Sequence, residues 1–319
     1  MGKNDKYAIV MRDISKDFKV LNRHEGLKGS IKDLFSRDYK TVKAVSDISI
    51  KIPKGQIVGY LGPNGAGKST TIKMMTGVLE PTRGEIVVNG AIPYKNRTKN
   101  AENIGVVFGQ RSQLWWSLPL IESFKLLKDI YMIPEAEYKQ MLELYRNLAD
   151  IEKLLHKPVR QMSLGQRTLS DILAAFLHNP KIVFLDEPTI GLDVSMKAKI
   201  RELIKGLNKE KNTTVILTTH DMGDVDALCQ RIVIIDQGSM IYDNDIEHLK
   251  HYFGSYRTLR LNLIEGGWKE ILVDESKTDV MSVISEYQRK GGIKDIKLED
   301  ISTEEVIKKI YEQATSRSA

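Results

Sequence analysis

Gly62-Pro63-Asn64-Gly65-Ala66-Gly67-Lys68-Ser69-Thr70 is the stretch on which the fold class of this chain turns. It follows the short apolar run Ile57-Val58-Gly59-Tyr60-Leu61 and precedes a helix-compatible stretch, Thr71 to Thr76. That strand-loop-helix setting is what a phosphate-binding loop requires. The glycines let successive backbone N–H groups turn inward around phosphate oxygens, and the following helix adds positive potential at its N-terminus. In this reading Lys68 reaches the β- and γ-phosphates and Ser69 ligates Mg²⁺. By ordinary residue frequencies the pattern arises by chance in roughly one chain of this length in 100. Nucleoside triphosphate binding follows from it.

Working outward, Ile104 to Phe108, Ile182 to Leu185, Val215 to Leu217 and Ile232 to Ile235 read as further short buried strands. Each carries a polar or Gly-bearing segment at its C-terminal end. Strands alternating with helical stretches give an α/β domain with a largely parallel sheet, and such sheets bind ligands beyond the carboxyl ends of their strands. The run Lys181-Ile182-Val183-Phe184-Leu185-Asp186-Glu187-Pro188 delivers two adjacent carboxylates to that edge. Phosphoryl transfer needs one group to hold Mg²⁺ and another to orient the attacking water. Asp186 is accordingly the metal candidate and Glu187 the general base. An isolated Asp-Glu pair after a strand is usually a solvated strand end; the phosphate loop elsewhere in the chain gives this pair its functional reading.

The chain has 319 residues, of which 41% are hydrophobic and 28% charged, enough for a full core and a second, smaller domain. Its one cysteine, Cys229, excludes an internal disulfide framework and fits a reducing compartment. The start, Met1 to Lys6, has no apolar stretch for a secretory signal, and Lys6 stands where a myristoylation pattern wants Ser or Thr. No apolar run approaches the roughly 20 residues that span a bilayer, so the chain is not expected to form a channel or carrier by itself. The net charge of +6 is spread along the sequence as solvated faces, and no nucleic-acid partner is expected.

Strand signals stop between about Gln113 and His178, where helical periodicity runs through Ser123 to Ile130, Glu135 to Ala149 and Gln166 to Leu177. This predicts a helical subdomain inserted at about 113–178. A second insertion, at about 19–41, separates the first strand from the next by more than the usual 4–6 residues. Within it Leu27, Ile31, Leu34 and Phe35 share a helical face rimmed by Lys28, Lys32 and Arg37. Such a basic amphipathic helix suits packing on its own sheet or an interface equally. After about Gly254, strands over Arg257 to Leu263, Glu270 to Val273 and Ile293 to Leu298 combine with helices over Thr278 to Arg289 and Thr303 to Gln313. The division expected is therefore 1–253 for the nucleotide-binding domain and 254–319 for a small α+β accessory domain.

Over about residues 7–250 the sequence resembles an ATP-binding cassette ATPase. Met162-Ser163-Leu164-Gly165-Gln166-Arg167, some twenty residues before Asp186, matches that family's signature motif, with Leu164 where the family most often has Gly. The resemblance implies that Ser163, Gly165 and Gln166 bind the γ-phosphate of an ATP held by another subunit. Gln110, after Phe108-Gly109, resembles the family's glutamine loop, which senses Mg²⁺ and the attacking water; Gln113 is the other register. His220, after Thr218-Thr219, matches the switch histidine that holds the γ-phosphate. Gly191-Leu192-Asp193 resembles the D-loop, a turn that also suits capping of the next helix. Family members stack an aromatic residue on adenine. Phe18, in Ser15-Lys16-Asp17-Phe18, keeps that register, and Tyr39 is the other candidate.

The same resemblance implies ATP and Mg²⁺ as ligands and a head-to-tail dimer of nucleotide-binding domains, homo- or heteromeric, with ATP between each phosphate loop and the opposite signature. It implies separate transmembrane permease subunits, docking at Arg111 to Leu120 with Trp115-Trp116, and a peripheral place on the cytoplasmic face of the cell membrane. Val107 to Trp116 and the tail Glu305 to Tyr311 look like a bacterial ABC-2-type exporter group related to drug-resistance and sodium-export subunits, which implies export. The rival reading is a soluble cassette acting in translation or DNA repair, whose tandem cassettes or long coiled coils are not visible in the sequence. A small-molecule kinase or GTPase sharing only the phosphate loop lacks its guanine motif here and leaves the signature and His220 unexplained.

Overall fold

A computed structural model describes residues 6–21, 39–109, 112–252, 254 and 256–318. The chain divides into two units, Met1–Asp243 and Asn244–Ala319. This division falls before the expected 253/254 because the helix Ile246–Tyr252 packs on the terminal helix Thr303–Ser318 and belongs with the second unit. Among the described residues no helix is long and apolar enough to cross a membrane.

The strands of the first unit are β1 (Tyr7–Leu21), β2 (Tyr39–Pro53), β3 (Ile57–Leu61), β4 (Arg83–Val88), β5 (Ile104–Phe108), β6 (Ile182–Asp186), β7 (Thr214–Thr218), β8 (Arg231–Asp236) and β9 (Ser239–Asp245), the last two residues of β9 falling past the division. Six form one sheet in the order β5-β6-β7-β3-β8-β9, and the other three form a second sheet, β2-β1-β4. The ladders joining β5, β6, β7, β3 and β8 are parallel. β3 and β7 are buried along their whole length and β6 up to its last residue, which is why they read as continuous apolar runs without alternation. β8 turns into β9 through Gln237-Gly238, both with positive φ, the conformation a two-residue hairpin needs.

The second sheet is antiparallel, and its long β1-β2 ladder revises the insertion expected at 19–41. Lys19 pairs with Thr41, Val20 with Lys40 and Leu21 with Tyr39, so both ends of that segment are strand. The amphipathic helix read at Leu27 to Arg37 lies outside the described residues, as does Gln110.

The helix Lys68–Met75 sits where the two sheets meet. Its Ile72, Met74 and Met75 share one buried cluster with Ile9, Ile14 and Ile50 of the antiparallel sheet and with Val58, Tyr60 and Val233 of the parallel one. Between β5 and β6 the described chain is helical, with helices at Leu120–Ile130, Glu135–Leu148, Glu152–Leu155 and Leu164–Phe176. The last begins before the expected Gln166 because Ser163 caps it.

The second unit is α+β. Strands β10 (Tyr256–Leu263), β11 (Gly267–Asp274) and β12 (Ile293–Asp300) form an antiparallel sheet in the order β11-β10-β12. Leu259, Leu261 and Val273 pack under Val280, Val283, Ile284 and Tyr287 of the helix Val280–Gly291. Thr258 donates to Glu305 of the terminal helix at 3.0 Å.

Gly105 of β5 lies against the helix Leu164–Phe176 so closely that a Cβ there would stand 2.2 Å from the Ala175 carbonyl oxygen. That nearest neighbour is backbone, which cannot swing aside as the end of a flexible side chain can. Gly105→Ala is expected to destabilise the protein by about 1–3 kcal/mol, the usual cost of overpacking a core, read as a lower midpoint in urea unfolding.

Candidate active site

The carboxyl ends of β3, β5, β6 and β7 all reach one edge of the parallel sheet, and the register sets what meets there. Phe108 pairs with Asp186, and Asp186 with Thr218. The residues that follow β3, β5 and β6 converge on one cleft of about 350 Å³, and His220, after β7, reaches it through Glu187. Pro63, Asn64, Gly65 and Gly67 to Thr70 wall one side of it; Gly109, Asp186, Glu187 and Ile190 wall the other, with Ala44 of β2 at its margin.

The loop takes its shape from its glycines. Gly65 and Gly67 have φ of 83° and 102°, a region that costs other L-residues strain. A Cβ on Gly67 would also stand 2.5 Å from the Ala44 carbonyl oxygen. The helix starts directly at Lys68, earlier than the expected Thr71, so the N–H groups of Lys68, Ser69 and Thr70 belong to its open first turn. Ala66 is buried beneath the loop. Lys68 Nζ donates to the carbonyl oxygens of Gly62 and Pro63 at 2.5 and 3.0 Å. Partial burial lowers its pKa, and the carboxylates of Glu187 and Asp186 oppose that shift.

Across the cleft, the Thr218 hydroxyl donates to Asp186 Oδ1, and His220 Nε2 lies 2.8 Å from Glu187 Oε1. Glu187 sits in the left-handed region at φ 51°, which costs a non-glycine residue about 1–3 kcal/mol and persists only where neighbours over-determine it. Its N–H donates to the Thr218 carbonyl at 2.9 Å. Thr218 thus holds both acidic residues, a role the sequence reading did not assign although Thr218-Thr219 leads directly into His220.

Other expected residues stand apart from this cleft. Ser163 caps its helix in a reciprocal capping box: its Oγ accepts from Gln166 N at 3.3 Å, while Gln166 Oε1 accepts from Ser163 N at 3.2 Å and from Lys157 at 2.9 Å. Gly165 faces Met196, whose side chain would lie 2.5 Å from a Cβ there. Asp193 caps the helix Val194–Lys211 by accepting from Met196 N at 2.9 Å. Neither Phe18 nor Tyr39 is among the described residues that line the cleft. The ladder separates the two, because Phe18 pairs with Val42 whereas Tyr39 lies three residues from Val42 on the same strand. Period-two alternation therefore puts them on opposite faces. Phe18 and Val42 share a face two residues before Ala44, and Lys16 Nζ lies 5.4 Å from the Phe18 ring.

Comparison with known proteins agrees with this geometry. The family described as "ABC transporter" matches residues 45–190. The ABC transporter ATP-binding protein NatA of Bacillus subtilis (strain 168) is 35% identical over 230 residues, covering 72% of this chain and 92% of NatA. This chain belongs to the ATP-binding proteins of the ABC transporter family. ABC transporter A family member 1 of Dictyostelium discoideum is 36% identical over 229 residues, and there the match spans 26% of a much longer protein. Among solved structures, the ATP-binding cassette MJ0796, a dimer in a post-hydrolysis state bound to ADP and Pi, superposes with a TM-score of 0.59 at 26% identity, covering 75% of this chain and 98% of that one. The protein is thus the ATPase subunit of an ABC transporter, and its mixed α/β fold with a parallel sheet is that of a P-loop nucleotide-binding domain.

A further buried carboxylate of this ABC ATPase escaped the sequence reading. Asp171, on the helix Leu164–Phe176, accepts from Ser112 Oγ at 2.9 Å and Gln113 N at 3.1 Å, and its carbonyl accepts from Gln113 Nε2 at 3.2 Å. Gln113 therefore holds the loop to the helix. Burial pushes the Asp171 carboxyl up to about 6 against the lowering effect of those bonds and of Arg167. A folded pKa above the unfolded one contributes stability that is complete below the ordinary carboxylate range and is lost as pH rises through about 6. Asp171→Asn removes that loss, so its melting temperature relative to wild type is expected to be higher at about pH 8 than at about pH 5; differential scanning calorimetry at both values checks the sign.

Proposed function

We propose that this subunit hydrolyses Mg²⁺-ATP between two nucleotide-binding domains and uses the cycle to drive export through transmembrane subunits on separate chains. The observation that carries the hydrolytic part is the 2.8 Å contact of His220 with Glu187 facing the phosphate loop across one cleft. In this reading the N–H groups at the start of the helix Lys68–Met75 hold the β- and γ-phosphates, and Lys68 exchanges its carbonyl partners for them. Ser69 and Asp186, a hydroxyl and a carboxylate lining the same cleft, are the hard oxygen donors that suit Mg²⁺. Among the described residues no group of three His, Cys, Asp or Glu is arranged as a metal site, and Mg²⁺ characteristically takes one or two carboxylates plus substrate phosphates. When bound, it neutralises charge that develops on the phosphate oxygens.

Glu187 is the general base, and His220 holds the γ-phosphate and the attacking water. Gln110 completes the set in sequence terms. Ser163, Gly165 and Gln166 lie outside the cleft at a capped helix N-terminus, which supports their use on an ATP bound by a partner subunit. Asp193 lies in the turn that meets the partner's site. Phe18, on the face of Val42, is the adenine platform in preference to Tyr39. Export is supported by the likeness of the segment Val107 to Trp116 and of the tail Glu305 to Tyr311 to the ABC-2-type exporter group. The exposed Trp115 and Trp116 support docking of the permease there, with the subunit peripheral on the cytoplasmic side.

Phe18→Ala is expected to weaken ATP binding by about 1–3 kcal/mol, the worth of one base-aromatic stack. Tyr39→Ala leaves binding unchanged, and neither alters binding of inorganic triphosphate; titration calorimetry distinguishes these cases. Glu187→Gln is expected to lower turnover about 10²–10⁴-fold, as loss of a general base does, while retaining ATP. Affinity purification of that variant from detergent-solubilised membranes should recover multi-spanning proteins in stoichiometric amount. Recovery of ribosomal proteins or DNA alone overturns the transporter assignment.

A further inference from the structure

Asp224 belongs to none of the sequence motifs, yet it is completely buried in the helix Met222–Leu228 and joins three parts of the site. Its Oδ2 accepts from the Thr189 hydroxyl and from the Thr219 hydroxyl at 2.8 Å. Its Oδ1 accepts from Arg201 Nε at 2.7 Å. Thr189 stands two residues after Glu187, and Thr219 immediately precedes His220. Arg201 lies on the helix Val194–Lys211, which Asp193 caps. A second link runs beside the first: Asp221 accepts from Lys197 and, at 3.2 Å, from the same Arg201, and it caps the Asp224 helix through Gly223 N at 2.8 Å.

A carboxyl group with no exposure is costly to bury unless hydrogen-bond partners satisfy it, and here two hydroxyls and a guanidinium do so. The cost is matched by geometric control. Glu187 holds an unfavourable left-handed backbone, so its direction depends on ties in the turn that follows. The Thr189 hydroxyl is the buried side-chain tie in that turn, and on the same oxygen of Asp224 it meets the hydroxyl beside His220.

We propose that Asp224 is a positioning residue for ATP hydrolysis: by gathering Thr189, Thr219 and Arg201 it sets the separation of Glu187 from His220 and couples it to the helix begun by Asp193. This rests on the assignment of Glu187 and His220 to the hydrolytic step. A shift of the Asp193 turn then moves base and histidine together.

Thr189 offers the test, since Thr189→Val is nearly isosteric and removes only the hydroxyl, whereas Thr189→Ser keeps it. With the purified full-length chain, Thr189→Val is expected to lower kcat on the order of ten- to a hundredfold, the effect of a displaced catalytic group, with KM, ATP affinity and melting temperature close to wild type. Thr189→Ser is expected to restore kcat to near the wild-type value. Asp224→Asn should show a larger loss in kcat of the same character. Thr189→Val turning over like wild type, or Thr189→Ser no better than Thr189→Val, overturns the proposal, and this pair decides the matter if Asp224→Asn does not fold. Glu187→Gln run in parallel separates the two levels. If it retains wild-type turnover, the hydrolytic assignment itself fails; if it is inactive while Thr189→Val is fully active, only the positioning role fails.

Discussion

The helix Lys68–Met75 is gripped between two sheets of different kinds, and the active cleft depends on that grip. A phosphate loop presents N–H groups to an anion only if the helix behind it cannot tilt or slide. Ile72, Met74 and Met75 are buried against both sheets at once, so the helix start is held from two directions. The Ala44 carbonyl lies so near Gly67 that a Cβ there would stand 2.5 Å from it, which brings the antiparallel sheet right up to the loop. A rigid N-terminus pre-pays the ordering that anion binding would otherwise require.

The opposite wall of the cleft is built on a different principle. It consists of strand ends held in register and then cross-tied by polar side chains. Thr218 serves Asp186 through its hydroxyl and Glu187 through its carbonyl. Asp224 gathers the turn after Glu187 and the residue before His220. Such polar ties are directional, whereas apolar packing is not. A site that needs two groups held at hydrogen-bond distance, and needs them to respond together, is better served by the directional kind. The buried Asp171, tying Ser112 and Gln113 to the helix Leu164–Phe176, applies the same device to the segment that begins at Ser112.

Much of this was legible before the fold was known, because the informative signals are local. The phosphate loop, the strand ending in Asp186-Glu187 and the capped turn at Ser163 each combine backbone conformation and chemistry within a few consecutive residues. The parallel strands β3, β5, β6, β7 and β8 were readable because strands buried on both faces show as uninterrupted apolar runs. The antiparallel sheet was less legible. Charged residues alternate irregularly along β1 and β2, and the ladder contains several bulges, so the period-two pattern that would mark its full length is broken. The second unit was placed late by the sequence because Ile246–Tyr252 packs on the terminal helix Thr303–Ser318, far along the chain.

The sequence by itself determined that this protein binds a nucleoside triphosphate, where its carboxylates stand and that the cassette family's motifs occur in order, since each rests on contiguous residues. Tertiary structure alone decided that His220 meets Glu187, that Phe18 and Tyr39 take opposite faces, and that Asp224 joins Thr189, Thr219 and Arg201. Those relations are fixed by the register of strands whose connections run through whole helices, and strand register depends on packing across the sheet, which no local pattern of residues encodes.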